Sequence, residues 1–167
     1  DIVPSTARLC LMNLFLHGIG DMKETPEIKV EDSLLEQPKD KVRIVLANPP
    51  FGKSSTYTIT NDEKLAKQES YILRNDFWTT TSNKQLCFVQ HIISMLEENG
   101  RTAIVLPDNV LFEGGAGESV RKKLLETTNL HTILRLPTGI FYANGVKANV
   151  LFFDGKPASK EVWTKEI

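Results

Sequence analysis

Val42-Arg43-Ile44-Val45-Leu46-Ala47-Asn48-Pro49-Pro50-Phe51-Gly52 is the stretch on which the fold turns. Its first six residues are mostly apolar without strict alternation, the pattern of a parallel strand covered on both faces. Asn48 to Gly52 then falls where that strand ends, and in α/β sheets ligands bind beyond the carboxyl ends of the strands. Pro49 and Pro50 lack N–H groups and have fixed φ, so the turn is stiff. Gly52 lets the backbone pass close to a ligand. These residue types suit one chemistry. An exocyclic amine conjugated with a ring is a poor nucleophile. The Asn48 side-chain oxygen and the Pro49 carbonyl can each accept one of its N–H groups, which favours a more tetrahedral nitrogen whose lone pair faces a methyl donor. Phe51 offers a flat apolar face for an extruded base, worth about 1–3 kcal/mol. The plainer reading of the same residues is a Pro-Pro strand stop followed by a core phenylalanine.

Upstream, Ser5 or Thr6 is expected to cap an apolar helix running to about His17, with Gly18 in the left-handed position after it. Apolar residues lie on nearly all sides of that helix, which predicts burial on more than one face. A short strand is predicted over 28–31. Downstream, residues 53–82 are rich in Ser, Thr, Asn and charge, with Tyr57, Tyr71, Phe77 and Trp78 interspersed. They lack periodicity and read as a long functional or mobile loop. An amphipathic helix follows over 83–98, with Leu86, Val89, Ile93 and Leu96 on one stripe, ended by Asn99-Gly100. Then come a strand over 102–106, a helix over 118–127, strands over 132–136 and 148–153, and the start of another from Val162. Strands alternating with helices predict an α/β domain with a largely parallel sheet.

The chain has 167 residues, enough for one domain, with 41% hydrophobic and 25% charged residues. Twenty basic and 21 acidic side chains give a net charge of -1, so no basic stripe marks a nucleic-acid groove. Cys10 and Cys87 fall in apolar helical patterns without CxxC spacing and read as reduced core thiols, with no metal site. His17, His91 and His131 read as structural or surface residues. Gly114-Gly115-Ala116-Gly117 lacks GxGxxG spacing and reads as a loop; Asp108 and Asn109 read as helix-cap residues, with approach to a ligand from the neighbouring strand end as the other reading. No membrane span or secretory signal is visible, which points to a cytoplasmic location.

Asn48-Pro49-Pro50-Phe51 resembles the catalytic motif of amino-methyltransferases. Further stretches are similar to modification subunits of type I restriction-modification systems, a family of N6-adenine DNA methyltransferases. These are Thr6-Ala7-Arg8-Leu9, Asp32-Ser33-Leu34, Phe88-Val89-Gln90-His91, Leu106-Pro107-Asp108-Asn109-Val110-Leu111-Phe112 and Leu136-Pro137-Thr138-Gly139-Ile140-Phe141. The resemblance implies a Rossmann-like α/β fold that binds S-adenosylmethionine. It also implies that 1–167 is the C-terminal part of the catalytic domain, the first two strands and the cofactor Gly loop being absent. Absent strands would separate those that remain, and the isolated piece would be inactive.

By the same resemblance Asn48, Pro49, Pro50 and Phe51 are catalytic. Asp1, Asp32 and Asn48 bind cofactor, Asp1 at the ribose hydroxyls and Asp32 near the adenine amine; Phe51 and Phe141 line the base pocket. A frayed terminus for Asp1, a turn or cap for Asp32 and a core role for Phe141 stand beside those readings. The implied partners are double-stranded DNA and the specificity and restriction subunits, with no membrane and no metal. The competing functions are methylation of a protein glutamine or an RNA base, and a non-catalytic assembly domain.

Overall fold

A computed structural model describes residues 1–21, 23–52, 55–141, 145–157, 159 and 161–167, which form two compact units, 1–36 and 37–167. The first unit holds helix α1, Pro4–Leu16. Its start differs from the expected one: Val3 is the extended cap residue and Pro4 opens the helix. A proline is well placed there because the missing N–H would have had no partner. Ser5 and Thr6 therefore lie inside the helix and do not cap it. Gly18 takes the expected left-handed conformation, with φ 72°. Ala7 alone of the α1 residues is buried, while Leu9, Met12 and Leu16 are 64%, 59% and 85% exposed, so the expected burial on several faces is not found. Cys10 is exposed, contrary to a core thiol, whereas Cys87 is buried. Residues 28–31 form no strand.

The second unit opens with β1, Val42–Ala47, and the short strands β2, Thr58–Thr60, and β3, Tyr71–Leu73. Helix α2, Lys84–Met95, leads into β4, Leu96–Pro107; α3, Asn109–Phe112, and α4, Ala116–Thr127, precede β5, Thr128–Arg135, and β6, Ala148–Gly155. The main sheet runs β1-β4-β6-β5. β1 and β4 are parallel, and β6 is antiparallel to both its neighbours. These four strands are contiguous, so the expected gap does not interrupt them. The α2 stripe (Leu86, Val89, Ile92) and α4 (Val120, Leu124) pack with Ile104, Leu106, Leu151 and Phe153 of the sheet as one core.

The α2–β4 boundary falls earlier than the sequence pattern predicts. The helix stops at Met95, and Asn99-Gly100 lies inside the strand, Asn99 at φ 61°. Pairing jumps from Val42–Leu96 to Ile44–Arg101, so the intervening β4 residues form a bulge. A Cβ on Gly155 would meet the Glu97 carbonyl at 2.6 Å, which explains why glycine faces that bulge. The predicted last strand is absent too; instead the Thr164 hydroxyl accepts from Leu130 N at 2.9 Å and donates to Thr128 O at 3.0 Å.

The polar segment after β1 is an excursion with its own small sheet, β2 parallel to β3. Its neck is closed by Ser55 N donating to Ser82 O at 2.7 Å and by mutual Ile59–Thr81 backbone bonds of 3.0 Å. Gln90 of α2 accepts from Trp78 N (2.8 Å) and Thr79 N (3.1 Å). Arg74, only 2% exposed, forms a bidentate pair with Asp76 at 2.8 and 2.6 Å, lies 3.3 Å from His91 Nδ1 and covers the Phe77 ring at 4.4 Å. Burial pushes the Asp76 carboxyl up, but hydrogen bonds from Arg74 and Ser94 and the Arg74 charge outweigh it and hold the group below the usual range.

Candidate active site

β1 delivers its last residues to the site from a fixed base: Val45 is in the core and Ala47 pairs with Ile104. Beyond it Asn48 is exposed, Pro49 buried, Pro50 exposed and Phe51 half-buried. The Asn48 side chain forms no hydrogen bond among the described residues, so its amide is available to a ligand. The Phe51 ring meets Phe141, from the β5–β6 connection, with centroids 5.2 Å apart and planes at 62°. That edge-to-face arrangement is a favoured one for aromatic pairs. The structure thus brings together the Asn48–Gly52 turn and the predicted pocket aromatic, 90 positions later in the chain.

A cavity of about 350 Å³ opens beside the turn, lined by Phe51 and Gly52, by Gln85 of α2, by Asp108 and Asn109 after β4, and by Lys147 before β6. It therefore sits beyond the carboxyl ends of β1 and β4, where an α/β sheet places its ligands. Neither Asn48 nor Phe141 is among its described lining. A Cβ added to Gly52 would meet nothing within 4 Å, so the backbone there borders open space. Contrary to the helix-cap role expected from the sequence, the Asp108 side chain makes no cap hydrogen bond to α3. Its carboxylate accepts from Asn149 Nδ2 at 2.6 Å and from Arg135 Nη2 at 2.8 Å, tying β4, β5 and β6 together at the cavity.

Gln85 is the residue that sequence reasoning misses. It is 3% exposed, and its Nε2 donates to Pro50 O and to Gly52 O, both at 3.3 Å. Asn83 caps α2 by accepting from Gln85 N and Leu86 N, and its own amide donates to Glu113 Oε2 at 2.6 Å. The signal available in the sequence is small: a glutamine two residues after a capping asparagine.

The proposed cofactor carboxylates belong to the other unit. Asp1 Oδ1 accepts from Val3 N at 2.8 Å and Asp32 Oδ1 from Leu34 N at 3.0 Å. Both are local turns of the kind short acidic side chains make. Among the described residues no group of three or more His, Cys, Asp or Glu is placed to hold a metal ion, and no helix is long and apolar enough to cross a membrane.

The N-6 DNA methylase family model matches residues 1–166. The chain belongs to the N-6 DNA methylase family. It is 44% identical over 179 aligned residues to the type I restriction enzyme EcoKI methylase subunit of Escherichia coli K12, with all of this chain and 31% of that protein covered. This N-6 DNA methylase chain thus spans about a third of the length of the curated relatives it matches. The crystal structure of the EcoKI M protein superposes with a TM-score of 0.75, covering 98% of this chain and 32% of that one. A Listeria monocytogenes protein described as a class I S-adenosylmethionine-dependent methyltransferase shares the fold at 18% identity and TM-score 0.64, over 100% of this chain and 48% of that one. The N-6 DNA methylase fold seen here is a partial Rossmann-like α/β fold with a mixed sheet.

Proposed function

We propose that this chain carries the catalytic motif of an adenine-N6 DNA methyltransferase, the modification subunit of a type I restriction-modification system. It would act in the cytoplasm on double-stranded DNA with S-adenosylmethionine, beside a specificity subunit and a restriction subunit. The observation that carries this reading is the exposed Asn48 amide on a stiff turn, with Phe51 braced edge-to-face by Phe141 beside a cavity. The match to type I methylase subunits supports the substrate and partners.

In this reading the target adenine leaves the helix, because its N6 cannot be reached inside a duplex. Its flat face rests on Phe51, whose tilt Phe141 limits. Asn48 Oδ1 and the Pro49 carbonyl would each accept one N6–H, drawing the nitrogen lone pair out of conjugation and turning it towards the methyl donor. Asp1 and Asp32 are acceptor-only carboxylates suited to the ribose hydroxyls and the adenine amine of S-adenosylmethionine. That cofactor supplies a methyl group activated on a sulfonium.

In the full-length protein with its partner subunits, Asn48→Ala should slow methyl transfer by about 3–4 kcal/mol while cofactor affinity stays within a few-fold. Methylation within a few-fold of wild type would refute the assignment. Digestion of the labelled product should yield N6-methyladenine; label in glutamine or RNA would move the substrate elsewhere. Phe51→Trp should keep much of the rate and Phe51→Ala lose about 1–3 kcal/mol of base capture, whereas equal loss in both would make Phe51 a packing residue.

A further inference from the structure

We infer that Gln85 is a positioning residue for methyl transfer, its buried amide setting the Asn48–Gly52 turn in the geometry that its acceptors and Phe51 require. The inference rests on the function proposed above. Pro49 and Pro50 fix two φ angles but contribute no N–H, so the turn has few backbone bonds with which to hold its own peptide planes. The orientations left open are those of the carbonyls flanking Phe51. Gln85 Nε2 holds both of them, at 3.3 Å to Pro50 O and 3.3 Å to Gly52 O. A primary amide has two N–H donors on one nitrogen, enough for two carbonyls at once.

The holder is itself held. Gln85 is 3% exposed, and its backbone N bonds Asn83 Oδ1 at 3.0 Å. The Asn83 amide in turn bonds Glu113 at 2.6 Å, so the brace reaches from the turn through the first turn of α2 to the segment before α4. Fixing the Pro50 carbonyl sets ψ of Pro50 and hence the direction in which Phe51 leaves the backbone. A small rotation there would tilt the stacking ring, and misplacement of this order slows reactions that depend on alignment.

The test is single-turnover methyl transfer by the full-length protein in its complete methylating complex, comparing wild type, Gln85→Glu, Gln85→Met and Asn48→Ala. Glutamate keeps the shape but turns a double donor into an acceptor facing two carbonyls; methionine only removes the donors. The expected result is full reaction amplitude with a rate constant at least about ten-fold lower for Gln85→Glu, about 1.4 kcal/mol, a smaller loss for Gln85→Met, and cofactor and DNA affinities within a few-fold. Rate constants within two-fold of wild type in either Gln85 variant, with Asn48→Ala slow, would overturn the inference and leave the catalytic turn intact. A loss confined to amplitude, or failure of both variants to fold, would reduce Gln85 to packing and also overturn it. A fast Asn48→Ala would remove the proposed chemistry itself, and the role of Gln85 with it.

Discussion

Helices α1 and α2 have 13 and 12 residues and similar shares of apolar side chains, yet α1 buries only Ala7 whereas α2 buries seven residues. Three of the seven are polar, Gln85, Gln90 and His91, and each hydrogen-bonds or contacts a segment far away in the chain. On α1 the large side chains Leu9, Met12 and Leu16 face outward. Within this chain, apolar content alone therefore does not set how much of a helix is buried. What fixes α2 is the pairing of its apolar stripe with the sheet and of its polar residues with the excursion and the Asn48–Gly52 turn.

The strongest way to break that contrast is at Arg74. Arg74→Met leaves Asp76 buried without its partner and should cost about 3–5 kcal/mol in urea unfolding; a cost near zero would mean that the excursion is not anchored on α2. Gln90→Leu leaves the Trp78 and Thr79 N–H groups without their acceptor and should cost about 2–3 kcal/mol by the same measurement. The Asp76 carboxyl sharpens the point through pH. Its folded value lies below the ordinary one, so the unfolded chain binds that proton more tightly. The pair's contribution is complete above about pH 3.9 and is lost as pH falls through the lowered value. Wild type and Asp76→Asn should thus differ most near neutral pH and converge towards pH ~2; a gap that does not change with pH would show that the carboxylate's charge plays no part. The smallest expected effect lies on α1, where Leu9→Gln or Met12→Gln should change the stability of this chain by no more than about 0.5 kcal/mol. A loss of several times that would show α1 to be packed after all.

The same contrast explains what could be read from the sequence. β1, β4, β6 and α2 are legible because apolar runs and stripes record burial directly. The end of α2 is misread because Leu96 continues the helical stripe, while Asn99-Gly100 stops a helix in the usual pattern but here bulges a strand. The excursion has no readable period because polar bonds to Gln90 and a buried ion pair hold it, and neither leaves a spacing signal. In the candidate site, Asn48 to Phe51 is legible because the motif occupies consecutive residues. Gln85 is not, because it reaches the turn from 35 residues away in the sequence.

The closed neck of the excursion also bears on how such a chain can evolve. Ser55 and Ser82 meet at 2.7 Å and Ile59 pairs with Thr81, so the path leaves the sheet and returns at one place. Doubling a loop costs only about 0.6 kcal/mol in closure entropy. Residues can thus be gained or lost between Thr60 and Tyr71 while the neck keeps its register. An insertion between Ser82 and Gln85 would instead pull the brace off the turn. Tolerated changes of length would thus fall at the tip, away from the turn at the base of the excursion.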